Sequence, residues 1–293
     1  MQLVMLAAGM GTRFGGCKPL APVGPSGDAL IDITASDARE AGFDGITVIT
    51  GPKTGPAIRY HISRCWRGRI DVSFAHQDVP LGTAHAVVCA EKELKDRGPF
   101  GVVNGDDIYG ADALARLKDH LSTSNTNCLV GFSLRNTIVT DAPVTRGICL
   151  TGSDGALKSI TERKQVSRVN KDEYTSKDGL EPSTLDPDVP VSMNLWGFQP
   201  QMLDYLSAAV EKGIDGNDGT EEILLPGVVG GMLDGAGSPG GLGDGSPGAG
   251  RETFQVLTSN DRCIGVTHAT DLAIVTSILQ SMIGAGERHE SLW

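Results

Sequence analysis

The chain has 293 residues, of which 40% are hydrophobic and 5% aromatic, and its formal net charge is -11. This length is sufficient for one large α/β domain with an ample core. The acidic charge argues against a nucleic-acid or anionic-membrane surface, because both partners are bound mainly through Lys and Arg. We therefore expect a small-molecule ligand.

The first half of the chain shows the alternation of an α/β sheet. Apolar runs predict strands at 2–7, 46–49, 72–75, 100–104 and 128–134, with helices at 28–41, 83–94 and 111–121. This order predicts a doubly wound, mainly parallel, Rossmann-like sheet. Strands punctuated by glycine at 147–150, 157–161 and 191–198 indicate a smaller mixed-sheet lobe, and a final helix is predicted at 269–283.

Neither the six cysteines nor the N-terminus suggests export. The cysteines are scattered, without a CxxC pair or a His at ligand spacing, so we expect no zinc site and no disulfide framework. No basic leader precedes the first apolar residues, and no apolar run approaches the roughly 20 residues that span a bilayer. We expect a cytoplasmic protein with reduced cysteines and no membrane partner.

A glycine-rich segment, LAAGMGTRFGGCKP, follows the first strand at residues 6–19. Its glycines leave no Cβ between a phosphate chain and the backbone N–H groups, and Arg13 and Lys18 supply positive charge. The spacing fits neither the Walker pattern GxxxxGK[ST] nor the dinucleotide pattern GxGxxG. We predict a nucleotide phosphate site suited to a transfer reaction. The alternative is a turn that needs positive φ.

A pair of carboxylates follows another apolar strand, in the segment NGDDIYG at residues 104–110. Carboxylates at the carboxyl end of a strand in an α/β sheet face the ligand crevice. Oxygen ligands suit Mg²⁺, which usually keeps several waters and bridges to substrate phosphates. We predict a magnesium site here, with an Asx turn as the alternative.

These segments resemble the nucleotidyltransferases that join a nucleoside monophosphate to a sugar phosphate, the NDP-sugar pyrophosphorylase family. The glycine-rich segment with Lys18-Pro19 resembles the signature GxGxR…K(P), and NGDDIYG resembles the GDD/GDN motif. The resemblance implies that Asp106 holds the metal, that Arg13 neutralises the departing pyrophosphate and that Lys18 grips the attacking and α-phosphate oxygens. It also implies nucleotide contacts from Leu6, Ala7, Ala8, Gly9, Gly11 and Thr12.

The subfamily stays open on this evidence. The spacing between Arg13 and Lys18 is shorter than in the glucose-1-phosphate thymidylyl- and uridylyltransferases. It is closer to that of the isoprenoid cytidylyltransferases and the molybdenum-cofactor enzymes. The nucleobase and the acceptor phosphate therefore cannot be assigned from this motif.

The segment QDVPLGTAHA at residues 77–86 resembles the family's Q…P.GTA element. A side-chain amide can pair with a donor and an acceptor of a base together, and a glycine allows the base to lie against the backbone. The resemblance implies that Gln77 and Gly82 read the nucleobase edge, with Thr83 at the start of the next helix. On its own the segment is equally a proline-glycine turn that caps a helix.

Three later segments resemble the sugar-side elements YG, EKP and NxGxxxF in the family's order. They are Arg146-Gly147, ITERK at 160–164 and VSMNLWGF at 191–198. Arg163 stands where the family has Lys, and Lys164 where it has Pro; the alternative for this pair is an exposed, charged strand end. The resemblance implies sugar-phosphate contacts from Gly147, Glu162, Arg163 and Asn194, with Arg163 or Lys164 approaching the phosphate.

The segment CIGVTHATDL at 263–272 resembles WxDxGTPxDL, in which the first Asp is a second metal ligand. This chain has Gly265 at that position. The metal would then rest on Asp106, phosphate oxygens and water, or on another carboxylate. His268 and Asp271 are the nearest candidates, although a His before a helix is more often a cap or a surface residue.

We therefore expect one nucleotidyltransferase domain, 1–293, with a nucleotide-binding half at 1–134 and a sugar-phosphate half at 135–293. A flexible Gly-rich loop is expected at 230–250, where little apolar surface is available to anchor the chain. The expected Mg²⁺-dependent reaction converts an NTP and a sugar 1-phosphate to an NDP-sugar and pyrophosphate. Alternatives are a cyclitol or other alcohol phosphate as acceptor, or a catalytically silent nucleotide-sugar-binding regulatory subunit.

Overall fold

The computed structural model describes residues 1–11, 14–94, 98–216, 222–233 and 252–293. The strands are β1 (Gln2–Ala7), β2 (Gly45–Thr50), β3 (Asp71–His76), β4 (Phe100–Asn104), β5 (Asp107–Ile108), β6 (Asn127–Ser133), β7 (Val144–Thr151), β8 (Leu157–Asn170), β9 (Glu173–Thr175), β10 (Thr184–Leu185), β11 (Pro190–Phe198), β12 (Phe254–Ser259) and β13 (Ile264–Gly265). The α-helices are α1 (Leu30–Glu40), α2 (Gly55–Cys65), α3 (Thr83–Val88), α4 (Glu91–Leu94), α5 (Ala111–Thr123), α6 (Met202–Gly216), α7 (Leu225–Leu233) and α8 (Leu272–Gly284).

Eleven of the described strands form one mixed sheet. Nine of them follow the order β10-β9-β8-β7-β11-β4-β1-β2-β3, and β6 joins by pairing with both β11 and β12. The central strands β4, β1, β2 and β3 are parallel to one another. This arrangement confirms the predicted Rossmann-like α/β class.

Strand β11 connects the two halves of the chain. Along one edge it pairs antiparallel with β7 near its start and with β4 near its end, and along the other edge it pairs antiparallel with β6. Strands β7 to β10 continue from it as antiparallel neighbours. The mixed strands that the sequence indicated after residue 134 therefore extend the central sheet and do not form a separate layer over it.

The core lies on both faces of the sheet. In β1, Leu3 and Met5 are fully buried in one apolar cluster, whereas Val4 between them is fully buried in the other. Successive side chains of a strand point to opposite faces, so a strand covered on both sides needs an unbroken apolar run. This is why QLVMLA begins the chain as a continuous hydrophobic strand.

Several elements depart from the sequence-based expectation. The expected helix 83–94 is two short helices, α3 and α4, and helices α2, α6 and α7 and strand β12 were not predicted. Residues 230–233 of the expected Gly-rich loop end helix α7, and residues 234–250 lie outside the described residues. No helix in the described ranges has the length and apolarity to cross a lipid bilayer.

The sheet topology creates a crevice at the carboxyl end of β1. The chain runs from β1 to β2 and β3 on one side, and β4 then pairs with β1 on the other. Loops that leave the sheet on either side of such a switch point diverge and leave a ligand crevice between them. In this protein the loops that follow β1 and β4 line the crevice.

Candidate active site

The glycine-rich segment at residues 6–19 forms a loop directly after β1, called the glycine-rich loop below. A hydrogen bond from a later segment stabilises the start of this loop. Thr54 Oγ1 donates to the Ala7 carbonyl oxygen at 2.9 Å. A Cβ placed on Gly9 would meet no described atom within 4 Å, so the space above this backbone is open to a ligand. Thr12 and Arg13 lie outside the described residues, and their roles remain predictions.

Lys18 and Asp106 meet across the crevice. Lys18 begins a short 3-10 turn after the glycine-rich loop, and its Nζ lies 2.6 Å from Asp106 Oδ2. Asp106 follows β4, and the preceding Gly105 donates its N–H to the Leu6 carbonyl oxygen at 2.8 Å. The bond between these backbones holds the two loops in register at the ends of their strands.

Asp107 is a buried carboxylate beside Asp106. Its Oδ2 accepts a hydrogen bond from Asn104 Nδ2 at 2.9 Å. Burial, and secondly the charge of Asp106, raise the pKa of Asp107 to about 6. Tyr109 fixes the same turn, because its hydroxyl accepts from the Asn104 N–H and donates to the Met193 carbonyl oxygen.

The position of the missing second aspartate faces Asp107. Strand β13 pairs with β5 so that Gly265 lies opposite Asp107, and a Cβ placed on Gly265 would be 2.5 Å from Asp107 Oδ1. The Asp107 carboxylate therefore occupies the space that a side chain at position 265 would need. Asp271 has another task, since its Oδ2 accepts the backbone N–H groups of Thr267 and His268 ahead of α8.

The donor set at this turn suits a hard cation. Asp106 and Asp107 supply adjacent carboxylates, and the described residues contain no group of three or more His, Cys, Asp or Glu side chains that could hold a metal. Mg²⁺ is commonly held by one or two carboxylates together with water and substrate phosphates. Burial, and secondly the charge of Asp106, disfavour the ionised form of Asp107 and so raise its pKa, and a bound cation would favour that form.

A cavity of about 230 Å³ opens beside the glycine-rich loop. Gln77 lies in its wall, with Nε2 3.0 Å from the Gly82 carbonyl oxygen and 3.1 Å from His85 Nδ1. The cavity brings together the predicted nucleotide-binding residues that the structure describes: Leu6, Ala7, Ala8, Gly9, Gly11, Gln77, Gly82 and Thr83.

The backbone of a distant segment requires glycine at position 82. The φ of Gly82 is +98°, and a Cβ there would lie 2.5 Å from the Ile223 carbonyl oxygen. Ile223 donates to the Leu81 carbonyl oxygen and accepts from the Ala84 N–H. Gly82 therefore admits the backbone of residue 223, and its contact with the base stays a prediction.

A second cavity, of about 700 Å³, shares Lys18 and Asp106 with the first, and we call it the sugar-side cavity because predicted sugar-phosphate residues line it. Gly147, Glu162 and Asn194 line it, as do Asp107 and Gly265. Asn194 sits at an irregularity of β11 with φ +60°, a conformation that is uncommon for non-glycine residues and occurs at binding sites.

Arg163 does not reach this cavity, which corrects the expectation that it approaches the sugar phosphate. Its side chain is 4% exposed, and its Nε and Nη2 donate to the two carboxylate oxygens of Asp178. Nη2 also donates to the carbonyl oxygens of Leu180 and Pro182. The ion pair between Arg163 and Asp178 therefore holds the segment after β9 against β8.

Arg146, which pairs with Arg163 across strands β7 and β8, has a different position. It lines the sugar-side cavity, and its Nε donates to Thr137 Oγ1 at 3.0 Å while Nη2 donates to the Thr137 carbonyl oxygen. Burial lowers the pKa of its guanidinium, a cost that a bound anion would offset. The motif Arg146-Gly147 contains this arginine, although only Gly147 was predicted to contact the sugar phosphate.

A third cavity, which Arg146 and Lys53 help to line, adjoins the first two. Lys18, Asp106 and Glu222 line all three cavities. Lys18 and Asp106 therefore mark the point where a ligand in the nucleotide cavity and a ligand in the sugar-side cavity would meet. An α/β sheet with a phosphate loop and a carboxylate turn at this junction is the architecture of a nucleotide-dependent transferase.

Comparison with known proteins identifies the family. Residues 2–236 match the model of the nucleotidyl transferase family, and the chain belongs to that family. This confirms the resemblance found in the sequence.

Curated relatives and a solved structure agree with this assignment. The bifunctional protein GlmU of Hyphomonas neptunium is 31% identical over 166 residues, which are 56% of this chain and 34% of that protein. GlmU of Francisella tularensis subsp. novicida is 25% identical over 58% of this chain and 35% of its own length. The chain thus matches only about a third of the length of these curated relatives.

The fold likeness extends over nearly the whole chain. A crystal structure from Bacillus anthracis, assigned as a glucose-1-phosphate thymidylyltransferase and solved with sucrose, has a TM-score of 0.65 at 13% identity. The similarity covers 96% of this chain and 95% of that one. At this identity the likeness supports the fold alone.

Proposed function

We propose that this protein transfers a nucleoside monophosphate from an NTP to a sugar 1-phosphate, forming an NDP-sugar and pyrophosphate. The observation that carries the proposal is the Lys18–Asp106 pair, which both cavities share. A transferase needs a charged group where its two substrates meet, and these two residues occupy that junction.

The nucleotide fits the smaller cavity. Its phosphates would lie over the open backbone at Gly9, where no described side chain intervenes, and its base would lie beside Gln77. Lys18, at the end of the loop, would contact the α-phosphate oxygens. Arg13 keeps its predicted role at the departing pyrophosphate.

The acceptor fits the larger cavity. Glu162 presents a carboxylate and Asn194 an amide, which are hydrogen-bond partners for the hydroxyls of a ring polyol. Arg146 replaces Arg163 in the proposal as the cation for the sugar phosphate, since Arg163 is held by Asp178.

The reaction is a single in-line displacement. An oxygen of the sugar phosphate forms a bond to the α-phosphorus, and the bond from the α-phosphorus to the bridging oxygen of pyrophosphate breaks. No protein nucleophile is required, because the phosphate monoester is already ionised near neutral pH and the protein contributes mainly positioning and charge stabilisation.

Asp106 and Asp107 are the residues that would hold Mg²⁺, which when bound supplies positive charge to the reacting phosphates. Lys18 orients the attacking oxygen and the α-phosphate toward each other. Asn104 and Tyr109 keep the carboxylate turn in place through the bonds described above.

The proposal is tested by a pyrophosphate-release screen that combines each common NTP with a panel of sugar 1-phosphates and one cyclitol phosphate. We expect release only when both substrates are present, with the NDP-sugar identified by mass spectrometry. Nucleotide binding without release for any pair would instead support a silent binding subunit.

A further inference from the structure

Strand β3 forms one end of the sheet, and its outer edge pairs with no strand in the described ranges. The N–H of Gln77, directly after β3, donates to the Thr50 carbonyl oxygen of β2 at 2.9 Å. Backbone groups of successive strand residues point to alternate sides, so Val72, Phe74 and His76 direct their N–H and C=O groups away from β2. No described residue outside the sheet is hydrogen-bonded to these groups. The edge of β3 is therefore open to a further strand.

A groove of about 470 Å³ lies beside this edge, between β3 and helix α2, and we call it the β3 groove. Its apolar lining comprises Ile62, Trp66, Ile70, Val72 and Phe74. The last three are only partly buried, although each packs against the apolar core. An added strand would place every second side chain in the groove while its backbone pairs with β3, which is how sheet edges bind extended peptides. The groove shares no lining residue with the three cavities of the candidate active site.

The rim of the β3 groove is basic, although the chain as a whole has a net charge of -11. Residues 45–70 contain four arginines and one lysine but no Asp or Glu. Arg67 lies in the turn before β3, and Arg59 lies 4.2 Å from the centroid of the Phe74 ring, so the groove has a cation toward each end. Neither guanidinium forms an ion pair with a described carboxylate, and of the described lining residues only Asp71 is acidic. The groove therefore suits a ligand with acidic ends and an apolar centre.

We propose that the β3 groove binds an extended acidic segment of another protein, which adds a strand to the edge of β3. The segment's backbone pairs with the outward groups of β3, its apolar side chains lie beside Phe74, and its acidic side chains meet Arg59 and Arg67. The open edge favours a peptide over a nucleic acid, because a sugar-phosphate backbone has no N–H groups with which to complete a β-ladder.

The test uses two synthetic peptides, ETVTVTE and its charge-reversed control KTVTVTK. In an extended peptide the two valines share one face with the terminal charges, which matches the apolar floor and the two cations of the groove. Fluorescence anisotropy should show that ETVTVTE binds at least about tenfold more tightly, because it forms two ion pairs where KTVTVTK meets two like charges.

Two further measurements separate strand addition from attraction by charge alone. Residue-resolved hydrogen–deuterium exchange should slow at the amides of Val72, Phe74 and His76 when ETVTVTE binds. N-methylation of the peptide amides that face β3 should abolish binding, because it removes their hydrogens and leaves the charges intact.

Arg67→Glu should abolish or reverse the preference for ETVTVTE, whereas Lys158→Glu, at an exposed lysine of β8 outside the groove, should retain it. Arg67 is exposed and unpaired with any described carboxylate, so this variant should fold. An unchanged preference in Arg67→Glu, equal binding of the N-methylated peptide, or no protection of the three amides at millimolar ETVTVTE would overturn the proposal. Protection by a single-stranded oligonucleotide, or by self-association of the protein, in place of the peptide would assign the groove to a nucleic acid or a second copy and would overturn it as well.

Discussion

Lys18 and Asp106 form an ion pair, with Nζ 2.6 Å from Oδ2, although they lie on loops that follow different strands. Both side chains are largely buried, with 15% and 32% of their surfaces exposed. The pair places a cation and the carboxylate that we propose as a metal ligand side by side at the junction of the cavities. Because Asp106 holds Lys18 in the absence of substrate, Lys18 is already positioned before a phosphate binds.

Replacing Lys18 by Ala should lower turnover by about a hundredfold or more, the usual loss when one charge-stabilising group is removed from a reacting centre. Arg13→Ala should have a similar effect through the pyrophosphate. Lys158→Ala, at an exposed lysine of β8, is the control, and steady-state kinetics provide the measurement. Near-normal turnover in Lys18→Ala would remove the assigned role.

Asp106→Asn should sharply raise the Mg²⁺ concentration required for activity, and EDTA should abolish activity in the wild type. Asp107→Asn should do less, because the Asp107 carboxylate is buried and bonded to Asn104. Magnesium titrations, together with Mn²⁺ binding followed by electron paramagnetic resonance, measure both effects. Equal losses in the two variants, or activity that survives chelation, would contradict the assignment of Asp106.

The stability of the metal-free protein should depend on Asp107. Its folded-state pKa of about 6 lies above the ordinary value of 3.8, so the folded state retains its proton longer than the unfolded state. The free energy of unfolding therefore falls as pH rises from about 4 to about 6.

Asp107→Asn removes this penalty and should raise the free energy of unfolding at pH 8 by on the order of 2 kcal/mol. The gain should disappear near pH 4, where the wild-type carboxyl is protonated. Urea unfolding with EDTA at both pH values provides the measurement. An equal gain in the free energy of unfolding at both pH values would show that ionisation of Asp107 is not the cause of the gain.

Arg146 and Arg163 should give opposite phenotypes. Arg146→Gln should raise the KM for the sugar phosphate by about tenfold or more, because it removes a charged hydrogen-bond partner of the acceptor. Arg163→Gln should lower Tm by several degrees with little change in this KM, because it breaks the pair with Asp178. Kinetics and thermal unfolding of both variants test this, and exchanged phenotypes would refute it.

Gly9 and Gly82 should also respond differently to Ala. Gly82→Ala meets the backbone of Ile223 at positive φ and should cost on the order of 1–2 kcal/mol of stability. The methyl group added by Gly9→Ala would contact no described atom of the protein, so stability should change little. The KM for NTP should rise, because the methyl group enters the space assigned to the phosphates. Chemical unfolding and NTP kinetics distinguish the two. A severe loss of stability in Gly9→Ala would mean that its space is not a ligand site.

The sequence predicted those parts of the site that depend on short segments. The glycine-rich loop, the turn at Asp106 and the segment around Gln77 each follow a strand, and parallel strands bring their carboxyl ends to one edge. Their assembly therefore followed from the predicted sheet. The residues predicted to bind the nucleotide, where the structure describes them, line one cavity.

The remainder depends on contacts between distant segments, which local patterns do not specify. Asp178 neutralises Arg163 from 15 residues away, and Ile223 fills the space at Gly82 from more than a hundred residues away. Asp107 faces Gly265 only because β5 and β13 pair. None of these partners is marked by composition or spacing, so the sequence did not reveal that Asp178 holds Arg163 or that Ile223 packs against Gly82.

The most direct test of the account is a crystal structure of the protein with the NDP-sugar that the pyrophosphate-release screen identifies. We predict the base beside Gln77, the α-phosphate within hydrogen-bond distance of Lys18 Nζ, and the sugar against Glu162 and Asn194. An NDP-sugar bound elsewhere, or bound with its α-phosphate remote from Lys18 and Asp106, would contradict it.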